Sequence, residues 1–127
     1  MRDKGDRMKK TTLLLIIGIM LVFSNFLFAT PPDSIKVSFD TTGTIMITHI
    51  FHATKNPSVH FINQVSVTLQ GKPIIQQTIA KQFSNTEQDV IYQIIDIKKG
   101  DNIAVTGSCN IMGKKTKEII APGPKIK

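Results

Sequence analysis

From residue 34 onward the chain alternates apolar and polar side chains with a period of two, and no window of a dozen residues carries an apolar stripe of helical period. Strands are therefore expected along the whole of this part. Ile35, Val37 and Phe39 alternate with polar neighbours, Thr41-Thr42-Gly43 turns the chain, and residues 44–52 form a second strand with Ile45, Ile47 and Phe51 on one side. A loop over 53–58 leads into the clearest strand, 59–70, with Phe61, Val65, Val67 and Leu69 on one face and His60 and Gln64 on the other. Gln70-Gly71 makes a hairpin into a strand over 74–79, whose start Pro73 restricts by removing a ladder donor. Residues 82–88 are polar and loop-like, 89–95 resume a strand, and Lys98-Lys99-Gly100-Asp101 is a turn. Ile103, Val105 and Cys109 share a face of the next strand, and 110–113 connect to a last strand ending near Ile120, before a tail marked by Pro122 and Pro124. Seven short strands separated by turn signals predict an all-β fold, a seven-stranded antiparallel immunoglobulin-like β-sandwich, with a small closed barrel as the alternative.

The N-terminal part reads differently. Arg2, Lys4, Arg7, Lys9 and Lys10, set against Asp3 and Asp6, precede an unbroken apolar run over 13–23. This is the charged and apolar pairing of a secretory signal. Eleven apolar residues fall short of the roughly 20 needed to span a bilayer, so removal is expected rather than retention as an anchor. Ala29 is the best small residue for cleavage, although Leu27 departs from the small-x-small rule, and Val22 with Ser24 offers a second site. The expected organisation is a leader over 1–29 and one domain over 30–127, located in the periplasm or secreted, with no membrane span in the mature chain.

Charge changes little. The whole chain carries +7. The leader holds five basic and two acidic side chains, an excess of three, so +4 remains for residues 30–127. Lys114, Lys115 and Lys117 lie together and favour anionic partners or surfaces, or simply form a solvated strand face. No aromatic residues interleave with them, and nucleic acid is not expected as a partner.

The candidate chemistry lies elsewhere. Cys109 is the single cysteine in a chain expected to reach a disulfide-permitting compartment, so no internal disulfide exists. It is a buried apolar filler, an intermolecular bridge, a reactive thiol or a metal ligand. All three histidines, His49, His52 and His60, flank one loop. Imidazole and thiolate together suit iron, copper or zinc, and a sandwich brings loops at one end of its sheets within reach of a shared ion. In a regular strand His49 and His52 have opposite parity, which favours His49 together with His60 as ligands and leaves His52 the less certain one.

The segments His60-Phe61-Ile62, Gly71-Lys72 and Cys109-Asn110-Ile111-Met112-Gly113 resemble the desulfoferrodoxin or superoxide reductase iron domain over roughly residues 44–120. The resemblance implies a mononuclear iron held by four equatorial imidazoles and one axial thiolate. Cys109 would be the axial ligand, His60 an equatorial one, and His49 or His52 the next. It also implies an electron donor as partner, because ferrous iron opposite a thiolate passes one electron to superoxide bound at the open position. Two features depart from that family. Met112 stands where its motif has histidine, and residues 30–48 contain no histidine for the upstream ligand. The family's lysine beside that upstream histidine has no evident counterpart either.

Two histidines, a cysteine and Met112 are also the ligand types of a blue-copper site, although such sites place a histidine between cysteine and methionine. A second resemblance, carried by His60-Phe61-Ile62, Gly71-Lys72, Gly100-Asp101 and the basic last strand, is to the Z subunit of the periplasmic sulfur-oxidation carrier complex. It implies a non-catalytic sandwich that binds a carrier protein. No nucleophile elbow, phosphate loop or His-Glu-x-x-His motif is present, and Asp89, Asp96, Asp101 and Glu118 sit mostly at expected turns or strand ends.

Overall fold

A computed structural model describes residues 3–23 and 30–125. The helix α1 (Asp3–Phe23) covers the charged and apolar parts of the expected leader. Leu13, Leu14, Leu15 and Ile16 on it are exposed. No described helix is long and apolar enough to cross a membrane. The expected cleavage site at Ala29 lies outside the described residues.

Seven strands follow: β1 (Ser34–Phe39), β2 (Ile45–Phe51), β3 (Ile62–Leu69), β4 (Lys72–Thr78), β5 (Glu87–Gln93), β6 (Asn102–Cys109) and β7 (Lys114–Ile120). They pair antiparallel into a three-stranded sheet, β1-β2-β5, and a four-stranded sheet, β4-β3-β6-β7, packed as an immunoglobulin-like sandwich. The β3–β4 hairpin turns through Gln70 and Gly71, both with positive φ (50° and 76°), the mirror-image turn whose twist matches the strands it joins. Because the hairpin is so short, β4 stays hydrogen-bonded to β3 as an edge strand. There Pro73 is tolerated beside a register shift between Val67 and Thr68. The opposite edge, β7, carries exposed Lys114, Lys115 and Lys117, side chains that discourage edge-to-edge pairing with another chain.

The core lies between the sheets. Met46 and Ile50 from β2 face Ile62, Val65 and Val67 from β3 and Ile103 and Val105 from β6, all fully buried. Each such side chain contributes about 1.5–3 kcal/mol through removal from water. Gly107 in β6 lets the sheets close here, since a Cβ on it would stand 3.0 Å from two carbons of Ile50.

Three strands differ from expectation, two in which side faces in and one in where it begins. In β2 the buried positions are Met46, Thr48 and Ile50, not Ile45, Ile47 and Phe51. Both parities of this strand carry apolar residues, so alternation alone does not select a face. At the start of β3 the register shifts between Ile62 and Gln64, a bulge that turns Ile62 inward in step with Val65, where unbroken alternation selects Phe61. The fifth strand begins at Glu87, two residues earlier than its polar sequence suggests, because Phe51 pairs with Glu87. The contact is prolonged beyond the strand by His52 N–H on the Thr86 carbonyl (2.9 Å) and Thr54 N–H on the Asn85 carbonyl (2.8 Å).

Thr48 is fully buried and its hydroxyl has no hydrogen-bond partner. Replacing it by valine removes an unsatisfied polar group at nearly constant shape. Thr48→Val is expected to stabilise the fold by about 1 kcal/mol, measured as a higher urea midpoint with an unchanged denaturant slope.

Candidate metal centre

One end of the sandwich collects three side chains from both sheets. His52 directly follows β2 and continues its inward parity, so it is fully buried. Cys109 is the last residue of β6, opposite Ile62 in the ladder, and is 8% exposed. His60 arrives from the loop between β2 and β3, which Asn56 folds back: its carbonyl accepts from Val59 N–H (3.1 Å) and His60 N–H (3.0 Å), and its side-chain oxygen from Ser58 N–H (3.0 Å). The two imidazoles meet edge to face, with centroids 4.6 Å apart and planes at 88°. One donor atom from each of His52, His60 and Cys109 lies within 4.8 Å of the others. Donors around one tetrahedral ion stand about 3.3–3.6 Å apart, so these three lie wider than a bound set and would have to draw together to share an ion.

The buried amide of Gln82 holds this arrangement. Its Nε2 donates to the carbonyls of His52 (2.8 Å) and Ser84 (2.8 Å), so its Oε1 must be the acceptor, taking Ile62 N–H (3.1 Å) and His52 Nδ1–H (2.8 Å). His52 Nδ1 is thereby a protonated nitrogen, and Nε2 is the one turned away from Gln82, 3.1 Å from the main-chain oxygen of Thr30. An imidazole whose second nitrogen donates to a fixed oxygen is the usual condition of a metal-bound histidine.

The cysteine turn is braced in a similar way. Asn110 receives Phe61 N–H on its side-chain oxygen (2.9 Å), donates from its side-chain nitrogen to the Val59 carbonyl (2.8 Å), and donates its own N–H to the Phe61 carbonyl (3.0 Å). These bonds clamp the Cys109 turn onto the two residues flanking His60. The Gly113 carbonyl accepts Cys109 N–H (2.9 Å), Ile111 N–H points at Cys109 Sγ (3.5 Å), and Sγ in turn faces Asn110 Oδ1 (3.9 Å). Gly113 has φ of 86°, and a Cβ on it would come 2.6 Å from Cβ of Pro31, so the turn closes tightly on the chain that precedes β1.

One polar atom in the cluster is left over. His60 Nε2 is buried and has no hydrogen-bond partner. Burial of the ring, reinforced by neighbouring His52, holds the His60 pKa below its ordinary value of 6.5, so the neutral, ligand-competent form is favoured. Beside His60 lies an open groove of about 700 Å³, lined also by Thr30, Lys55, Asn56 and Asn85.

Of the sequence candidates, His52, His60 and Cys109 come together and His49 does not. His49 lies on the outer face of its sheet, 40% exposed, with Nδ1 2.7 Å from Asp89 Oδ1 and Glu87 close by. The expected pairing of His49 with His60 is thus replaced by His52 with His60, because Thr48 and Ile50, not Ile47 and Phe51, define the inner face. Met112 is 53% exposed at the tip of the cysteine turn. Gln82 was not legible as a site residue, since in sequence it is one amide within a polar loop, 30 positions from the histidine it orients. No protein-family model and no previously characterised protein matches this chain.

Two outcomes follow from this geometry. Gln82→Ala leaves Ile62 N–H and His52 Nδ1–H without partners in the interior and is expected to cost about 3 kcal/mol in chemical denaturation. Because the folded His60 pKa lies below that of the unfolded chain, the unfolded state binds more protons once the pH falls below 6.5. Stability of the metal-free protein is therefore full above that value and declines as the pH falls toward the folded pKa, where the loss saturates. Urea midpoints taken between about pH 7.5 and about pH 5 should show this decline, and His60→Asn should reduce it.

Proposed function

We propose that this chain is an exported metal-binding domain that holds one transition-metal ion through His52, His60 and Cys109, with iron as the metal and one-electron reduction of superoxide as the reaction. The observation that carries the reading is the buried, partnerless Nε2 of His60, on a ring that shares a 4.8 Å cluster of donor atoms with His52 and the Cys109 thiol. A buried polar atom without a partner is costly, and an ion at this point satisfies it. Two imidazoles and a thiolate form a donor set suited to iron and copper.

When bound, iron would supply a one-electron couple tuned by the thiolate. The surrounding residues would do the rest. Gln82 holds the His52 ring with Nε2 toward the ion, and the Ile111 N–H steadies charge on Cys109 Sγ. The groove beside His60 admits a small molecule, and Lys55 on its lining puts a positive charge at the mouth, which draws small anions toward the ion. Repeated turnover requires an electron donor, a partner protein in this reading. The charged and apolar segment over 1–23 supports export.

A second metal reading has its own support. Two histidines and one cysteine are the trigonal donors of an electron-transfer copper site, and Met112 offers a soft sulfur nearby in sequence.

Elemental analysis of protein purified without oxygen separates these readings. Near-stoichiometric iron is expected, lost in Cys109→Ser, His60→Ala and His52→Ala but retained in His49→Ala, with superoxide consumed by the loaded protein only. Stoichiometric copper with an intense visible band would replace iron by the electron-transfer reading. Retention of metal in Cys109→Ser and His60→Ala, or no uptake of any metal, would overturn both and leave a non-catalytic binding module of the sulfur-carrier type.

A further inference from the structure

The chain that precedes β1 crosses the metal centre. Pro32 is fully buried, Asp33 N–H bonds the Phe51 carbonyl (2.8 Å), and Pro31 packs where a Cβ on Gly113 would have to sit. This strap sets the main-chain oxygen of Thr30 3.1 Å from His52 Nε2. The position matters because of Gln82. With Nδ1–H committed to Gln82 Oε1, Nε2 is the nitrogen left to meet the Thr30 oxygen, and a proton is what joins the two in the metal-free protein. A metal ion in that proton's place is shared by both atoms. Two donors sharing an ion at about 2.1 Å stand about 3.0–3.4 Å apart for octahedral to tetrahedral angles, which brackets the observed separation. Thr30 also lines the groove that opens beside His60.

We propose that the main-chain carbonyl oxygen of Thr30 is a fourth ligand of the ion held by His52, His60 and Cys109. The inference rests on the reading of that cluster as a metal site and adds an oxygen donor that no sequence motif specifies. The site is then a two-nitrogen, one-sulfur, one-oxygen set assembled from both sheets and from the strap, and its affinity depends on Pro31 staying packed against Gly113.

The test uses the full chain labelled with carbonyl-13C threonine and 15N proline, and zinc as a diamagnetic probe. Thr30-Pro31 is the only Thr-Pro step in the sequence, so a single carbonyl resonance is selected. On saturation with zinc, this resonance is expected to move downfield together with the ring nitrogens of His52 and His60 and the Cβ of Cys109. Pro31→Gly, which frees the strap without altering a ligand side chain, is expected to weaken zinc binding roughly tenfold. If the histidine and cysteine signals move while the Thr30 carbonyl does not, or if Pro31→Gly binds zinc as tightly as the parent or tighter, the proposal is overturned and the three-residue site survives. If none of these signals moves, the site itself is wrong and the proposal falls with it.

Discussion

The amide of Gln82 makes four hydrogen bonds, and every one ends on a segment that the cluster needs. Its oxygen holds Ile62 at the start of β3 and the ring of His52, and its nitrogen holds the main chain of His52 and Ser84. Because β2 belongs to one sheet and β3 to the other, a single side chain ties the two layers together at the end where the histidines and cysteine lie. It also keeps His52 Nδ1 protonated. In an interior where an unpaired donor costs about 1–3 kcal/mol, such a fully engaged amide leaves little freedom for any residue it touches.

Around that tie the cluster is made of deliberate irregularities. The bulge at the start of β3 sends Ile62 into the core, and it fixes the level at which the preceding loop rejoins the sheet. The turn after β6 needs a positive φ at Gly113 and no side chain there, which lets Pro31 close over it. Asn110 then stitches that turn to both neighbours of His60. These hydrogen bonds converge on a buried nitrogen with no partner, beside a groove that His60 lines. The outer-face trio of His49, Glu87 and Asp89 differs in kind: its histidine is half-buried and already engaged by Asp89.

Much of the architecture is legible along the chain. Every expected strand is present, and the Gln70-Gly71 hairpin, the Lys98 to Asp101 turn with Gly100 at φ of 91°, and the shared inward face of Ile103, Val105 and Cys109 match the expectation. These features rest on local rules, alternation and turn chemistry, that act over a few residues. The choice of ligands was less legible. Parity separates His49 from His52 correctly, yet both sides of β2 carry isoleucines and the strand alone holds no record of which side meets the other sheet.

The sequence by itself therefore determined the strand content, most of the turns, the apolar N-terminal segment and the short set of residue types capable of ligation. Tertiary structure alone decided that Met46, Thr48 and Ile50 turn inward and carry His52 with them, that a bulge resets β3, and that Gln82 and Thr30 reach the same imidazole from distant positions. The reason is physical: periodicity encodes which residues can share a face, whereas the burial of that face and the satisfaction of its polar atoms depend on what the opposite layer presents.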